Sequence, residues 1–288
     1  MSEENGLEAL DNWIDRLRIA PGTAVDLAAR DPSERPDGLK RPAAKALTLA
    51  AVADLDRLQY LLFADGDASL LIVLQGLDAA GKDGTIRQVL TGMNPQGVRV
   101  AAFKQPTPEE TAHDFLWRAH RAVPRKGEVA IFNRSHYEDV LVVRVHDLAP
   151  KAVWQARFDQ INAFEALLAA NGTRVLKFFL HISPEEQLAR FAERLADPAR
   201  QWKISETDYT ERAFWPAYTR AYEEVLARCS TSDAPWYVIP SDRKWVRNIA
   251  VARIIADSLD KLELKTPPVR VDLSDIRRRY HEAVRHET

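Results

Sequence analysis

Residues 69–85 read SLLIVLQGLDAAGKDGT, an apolar run that breaks into glycines and a lysine. Its first seven residues are short of polar groups on either side, which predicts a strand buried on both faces of a parallel sheet. Gly76 to Lys82 then fits the spacing G-x-x-x-x-G-K. Glycines let a backbone curl until successive N–H groups point inward at an anion, and a helix opening there adds its N-terminal dipole. Gly76, Ala80, Gly81, Gly84 and Thr85 are therefore expected around phosphate oxygens, with Lys82 adding a point charge.

Two positions depart from the usual phosphate loop. Asp83 stands where a serine or threonine is normal, and Asp78 lies inside the loop itself. Carboxylates repel a bound polyanion unless a divalent cation lies between them. The pattern implies Mg2+, with Mn2+ an acceptable substitute, bridging Asp78 to phosphate, while Asp83 assists or orients Lys82.

Outward from this stretch the chain alternates. Residues 98–103, 128–133, 174–182 and 235–241 read as further strands, and 42–63, 150–170 and 244–262 as long helices. Thr107-Pro108-Glu109-Glu110 and Ser183-Pro184-Glu185-Glu186 are helix-start signals, a capping hydroxyl followed by proline and then glutamate. Such alternation predicts a three-layer α/β/α fold with a central parallel sheet, one domain over 47–262. Residues 1–46 carry Pro21, Pro32 and Pro36 and are expected to form an arm with at most one short helix over 7–17. In the tail, 263–288, Ile276, Tyr280 and Val284 recur every four residues, predicting a helix that either docks or stays solvated.

The chain has 288 residues, 40 basic and 42 acidic side chains, and a net charge of −2, which argues against a nucleic-acid binder with a broadly basic surface. Cys229 is the only cysteine, so no intramolecular disulfide or cysteine-rich metal site is expected, and it is read as a packing residue on a helix. No apolar run is long enough for a membrane span, and the first residues lack a basic and apolar leader, so a cytoplasmic protein is expected.

A second cluster, Asn133-Arg134-Ser135-His136-Tyr137-Glu138-Asp139, falls at the end of the third strand, where ligands gather in open α/β sheets. It offers Arg134 for phosphate and a carboxylate, Glu138 or Asp139, for a metal; the bland reading pairs Arg134 with Glu138 on a helix turn. After the fourth strand, Arg190 and Arg194 share a helix face and lead toward Lys203. That suits a helical lid over about 184–212 that closes on transferring phosphates, or alternatively a solvated charged face. His113 with Trp117 reads as packing, Asp114 with Arg118 as an intrahelical ion pair. Trp154, Trp215, Trp236 and Trp245 read as core. Arg118, Arg121, Arg125 and Lys126 are candidates for the wall of a basic channel.

Taken with Phe103-Lys104-Gln105-Pro106, His113 to Arg118, Phe132 to Ser135, Tyr137 to Val140 and Trp202-Lys203, the loop resembles the polyphosphate kinase 2 family over most of the chain, about 47–262. The resemblance implies a magnesium-dependent P-loop kinase fold related to thymidylate kinases. It implies transfer of a terminal phosphoryl group from inorganic polyphosphate to nucleoside mono- or diphosphates, reversibly, by a homo-oligomer. By the same likeness Asp78 and Glu138 hold the metal, Lys82 and Arg134 bind the transferring phosphate, and Asp83 and Asn133 complete the site. Arg190, Arg194 and Lys203 grip nucleotide or polyphosphate from the lid. Residues 181–187 and 233–245 look closest to the group that accepts both mono- and diphosphates. Position 136 is histidine where the family often has tryptophan. The main alternative is an ATP-dependent nucleoside monophosphate kinase of thymidylate-kinase type, whose Asp-Arg-Tyr or Asp-Arg-Phe signature is here Asn133-Arg134-Ser135. A non-catalytic nucleotide sensor is the other alternative; intact Asp78, Lys82 and Arg134 argue against it.

Overall fold

The apolar run becomes β1 (Ser69–Gln75), buried along its whole length. In the computed structural model, which describes residues 3–287, it is the middle of five strands. The others are β2 (Val98–Ala102), β3 (Val129–Asn133), β4 (Thr173–His181) and β5 (Trp236–Pro240), in the spatial order β2-β3-β1-β4-β5. All neighbours run parallel; Leu70 lies opposite Val129 on one side and Arg174 on the other.

In chain order the helices are α1 (Glu3–Leu17), α2 (Arg41–Asp65), α3 (Lys82–Val89), α4 (Pro108–Thr111), α5 (Trp117–Ala122), α6 (Glu138–Val145), α7 (Lys151–Ala170), α8 (Pro184–Ala196), α9 (Glu206–Thr210), α10 (Trp215–Cys229), α11 (Lys244–Asp260) and α12 (Leu273–Glu287). Successive side chains of a strand face opposite ways. Leu70, Ile72 and Leu74 therefore pack with α1, α2 and α11, while Leu71 and Val73 pack with α6, α7 and α10. This is the three-layer α/β/α arrangement with a parallel sheet that the alternation predicts.

The helix-start signals act as expected, with differences in extent. Thr107 and Glu110 close a reciprocal capping box, but α4 lasts only one turn before the chain bends. Ser183 accepts from the Glu186 amide at the start of α8. Proline lies in the first turn of α2, which starts at Arg41, and α2 ends on Gly66 in the left-handed region.

The N-terminal stretch is more tightly held than an arm. Leu10, Trp13, Ile14 and Leu17 recur at helical spacing and are buried against the sheet layer. Beyond α1, Ile19 donates its amide to the Trp236 carbonyl at 2.9 Å, and Arg18 bridges Tyr237 in antiparallel fashion, so this segment lines the β5 edge. The tail does form a helix, α12, and Ile276 and Tyr280 on it are exposed.

Candidate active site

Because β1 and β3 are parallel neighbours, the turns leaving their C-terminal ends lie side by side. The β1 turn is the phosphate loop. At Gly76 an added Cβ would meet the Leu180 carbonyl oxygen at 2.8 Å, so only glycine fits there, while Ala79 takes a left-handed φ of 60°. The loop closes on Gly81 and enters α3, whose first i→i−4 bond is Thr85 N–H to the Gly81 carbonyl. The amides of Lys82, Asp83 and Gly84 are the orphan first-turn donors, available to an anion.

Two expected loop contacts are corrected. The Ala80 N–H is already given to the Leu77 carbonyl at 3.1 Å, and the Thr85 hydroxyl bonds back to the Gly81 carbonyl at 3.1 Å. Both residues are fully buried, so they shape the loop from within.

The Lys82 ammonium folds over the loop and donates to the carbonyls of Gly76 at 2.7 Å and Leu77 at 3.3 Å. Burial, helped by the nearby Arg134 cation, pulls Lys82 down to about 8. Asp83 is exposed; it accepts from Asn133 at 2.8 Å and from Lys203 at 3.4 Å, and these partners outweigh its partial burial to hold its carboxyl below the usual range.

In the β3 turn, Arg134 has a left-handed φ of 61° and points its guanidinium between two carboxylates, Asp78 at 2.7 Å and Glu138 at 3.4 Å. Burial opposes its charge, but Glu138 and Asp78 outweigh burial and push Arg134 upward. The bland helical pairing of Arg134 with Glu138 therefore exists, yet the shorter bond crosses to the loop. Glu138 and Asp139 differ in their surroundings. Glu138 lines the cleft and accepts from Gln75 at 3.0 Å, whereas Asp139 is tied up by Arg118 at 3.3 Å and Arg157 at 3.4 Å.

That pairing overturns the expected Asp114–Arg118 contact. Helix α5 begins only at Trp117, so the four-residue spacing is not a helical turn; Asp114 caps the Leu116 amide, and Arg118 reaches the Lys104 carbonyl and Asp139. Arg118, with Lys104, also lines a second surface pocket beside β2. His113 and Trp117 stack with ring centroids 4.1 Å apart.

The β3 turn is anchored from below by residues not anticipated from the sequence. Ser135, His136 and Tyr137 are fully buried. His136 Nε2 lies 3.3 Å from a Glu165 oxygen, Tyr137 donates to Glu165 at 2.9 Å, and Lys177 donates to the Tyr137 hydroxyl at 2.9 Å and the Cys229 carbonyl at 2.6 Å. Lys177 also ion-pairs with Glu165. Burial would raise the Glu165 carboxyl, but Lys177 and His136 outweigh it and hold it low. Cys229 is a buried packing residue on α10, as expected, and burial pushes its thiol up to about 12.

The cations expected on a lid separate into two kinds. Lys203 and Arg194 stay at the mouth, Lys203 against Asp83 and Arg194 against Asp208 at 3.5 Å. Arg190 does not grip a ligand in this arrangement: it is 5% exposed, and every nitrogen is used. It donates to Glu186 at 2.8 Å, to the Ala79 and Ala80 carbonyls at 2.8 and 3.0 Å, and to the Ser241 and Asp242 carbonyls. It clamps the loop backbone. Gln187 adds a bond to the Asp78 carbonyl at 2.8 Å and accepts from Arg212 at 2.6 Å.

Between loop, turn and lid lies a cleft of about 250 Å³. Asp78, Arg134 and Glu138 face it from one side and Asp208, Glu211 and Arg212 of the lid from the other, with Leu141, Val142, Trp215 and Tyr222 as apolar wall. His146 Nε2 sits 3.1 Å from Glu211 and 3.2 Å from the Tyr218 hydroxyl, joining α6 to the lid. Trp154 and Trp236 are core residues, as expected; Trp215 and Trp245 pack against the core while partly exposed. No helix among the described residues is long and apolar enough to cross a membrane.

Residues 39–267 match the sequence profile of the family described as polyphosphate kinase 2. The chain is 49% identical over 256 residues to the AMP/ADP-polyphosphate phosphotransferase of Meiothermus ruber, covering 88% of this chain and 96% of that protein. It is 40% identical over 264 residues to the ADP-polyphosphate phosphotransferase of Rhodopseudomonas palustris, covering 88% and 91%. Among solved structures, polyphosphate kinase 2 from Arthrobacter aurescens superposes with a TM-score of 0.88 at 42% identity, covering 92% of this chain and 95% of that one.

Proposed function

Because the chain belongs to the polyphosphate kinase 2 family, we propose that it transfers the terminal phosphoryl group of inorganic polyphosphate to a nucleoside mono- or diphosphate. AMP would become ADP and ADP would become ATP, in a reversible reaction. The observation that carries this reading is the convergence of the phosphate loop and Arg134 at two adjacent strand ends, with Asp78 and Glu138 on either side of the guanidinium.

Phosphoryl transfer asks for alignment and charge neutralisation more than for covalent work by the protein. An oxygen of the acceptor phosphate attacks the terminal phosphorus of the donor, the bond to the bridging oxygen breaks, and the polyphosphate leaves one unit shorter. Lys82 and the first-turn amides of α3 hold the donor phosphates. Arg134 bears on the phosphoryl group in transit, and Asn133 keeps Asp83 oriented. Lys203 and Arg194 draw the lid over the site and exclude water.

Asp78 and Glu138 fit a divalent cation: they already share one positive group, Arg134, between them. Mg2+ commonly takes one or two carboxylates plus substrate phosphates, so this pair would hold it, with Mn2+ as a substitute. When bound, the ion neutralises phosphate charge as the bond order shifts. The aromatic and aliphatic wall of Trp215, Tyr222, Leu141 and Val142 suits the flat face of a nucleoside. Exposed Ile276 and Tyr280 on α12 support a homo-oligomer.

The test mixes purified protein, Mg2+, long-chain polyphosphate and either AMP or ADP with no ATP supplied. ADP or ATP formed from polyphosphate upholds the donor, and the acceptor that reacts assigns the subgroup. No product there, but ADP formed from ATP and a monophosphate, hands the reaction to the thymidylate-kinase-type alternative.

A further inference from the structure

Arg247 lies in the first turn of α11, far in sequence from the phosphate loop, and is 3% exposed. Its Nε and Nη2 donate to the Asn248 side-chain oxygen at 3.1 and 2.8 Å. Among the described residues Nη1 has no protein acceptor, and no carboxylate lies within ion-pairing distance of the guanidinium. Nη1 instead sits against the loop: a Cβ on Gly81 would lie 1.8 Å from it, and a Cβ on Gly84 would lie 3.2 Å from Nη2. Gly81 therefore lacks a side chain partly because the guanidinium occupies that space.

The charged group that faces it is another cation, Arg190 of α8, whose Nη1 would lie 3.5 Å from the same Gly81 position. Burial, then Arg190, pulls Arg247 down to about 10, which leaves it charged at neutral pH. The two arginines differ in their partners. Arg190 has an acceptor for every nitrogen, whereas Arg247 keeps a free donor and an unneutralised charge at the loop. A buried, unpaired cation destabilises a fold unless something in the working protein compensates it. A polyanion lying on the loop amides would do so.

We propose that Arg247 is a positioning residue of the phosphate loop, packed against Gly81 and Gly84 so that its unpaired positive charge raises the loop's affinity for the polyphosphate donor. This rests on the donor reading given above. Charge acting through a low-dielectric layer is preorganised and needs no rearrangement when the anion arrives.

The experiment measures binding of inorganic tripolyphosphate by calorimetry, and thermal unfolding without anion, for the wild-type chain, Arg247→Met and Arg247→Lys. Arg247→Met is expected to weaken tripolyphosphate binding by roughly tenfold to a hundredfold, with an unfolding temperature equal to or above wild type. Arg247→Lys keeps the charge and is expected to stay within about threefold of wild type. Unchanged binding in Arg247→Met overturns the proposal, as does a lowered unfolding temperature with unchanged binding, which would mark a merely structural residue. Equal losses in both variants overturn the charge argument. Wild-type protein that binds tripolyphosphate with this dependence on Arg247, yet transfers nothing from polyphosphate to AMP or ADP, upholds the inference and defeats the donor reading. Wild-type protein that binds no tripolyphosphate overturns both.

Discussion

The phosphate loop and the turn after β3 solve one problem in opposite ways. Each leaves the C-terminal end of a buried strand, and each places a non-glycine residue, Ala79 or Arg134, in the left-handed region. The loop is held from outside its own backbone, by donors aimed at its carbonyls: Lys82, Arg190 and the Gln187 amide. The turn is held from beneath, by its own side chains sunk into a buried ionic cluster with Glu165 and Lys177. A loop whose carbonyls are occupied keeps the first-turn N–H groups of α3 for an anion. A turn whose side chains are occupied keeps one guanidinium and one carboxylate, Arg134 and Glu138, facing the same cleft.

Broken, the two regions should fail differently. Lys177→Met leaves the Glu165 carboxylate buried without its cation, and an expected loss of about 3–5 kcal/mol in urea unfolding follows. A loss under about 1 kcal/mol would mean that the cluster does not anchor the turn. Lys82→Ala removes a charge from the loop without touching the anchor beneath the turn. Turnover with polyphosphate should fall by about 10²- to 10³-fold, with circular dichroism unchanged; near-normal rates would end the assignment of the loop as the donor site.

Arg190→Met sharpens the comparison within the loop itself. It frees the Ala79 and Ala80 carbonyls and should lower stability by about 1–3 kcal/mol, visible as an earlier thermal transition. The smallest effect is the one of pH. Lys82 in the free protein carries its proton below about 8 and loses it above. With the attraction for phosphate present below that value and lost above it, kcat/KM for polyphosphate should fall about tenfold per pH unit beyond the midpoint. Bound phosphate stabilises the ammonium, so the kcat profile should hold to higher pH. A kcat/KM that stays flat to pH 9.5 would mean that Lys82 is not the titrating group.

What the sequence disclosed and what it hid divide along a physical line. Local pattern was enough for β1, whose bounds at Ser69 and Gln75 match the apolar run, and for the caps at Thr107 and Ser183. The loop lysine, its two aspartates and Arg134 were legible because their chemistry is written in contiguous motifs. Arg190 was legible as a cation of the lid helix, but not as a clamp on carbonyls, since that depends on which strand ends the helix crosses. The Glu165–Lys177 cluster joins α7 to β4 and left only faint signs: a lysine inside RVLKFFLHI and a glutamate on an otherwise apolar helix face. Arg247 left none. It stands among other basic residues, and its packing against the side-chain position of Gly81 is visible only in the folded arrangement.

The cover over the β5 edge carries a consequence for the order of assembly. The Ser230 hydroxyl donates to the Ile19 carbonyl across a separation of 211 residues, and the Ile19 amide waits for Trp236. On a ribosome the residues around Ile19 emerge early, and their docking site is among the last parts to be made. Contacts of such span are slow to form because the long loop must close before they reward it. Leu10, Trp13, Ile14 and Leu17 reach their buried places only once β5 and α11, which pairs Arg253 with Asp11, are in place.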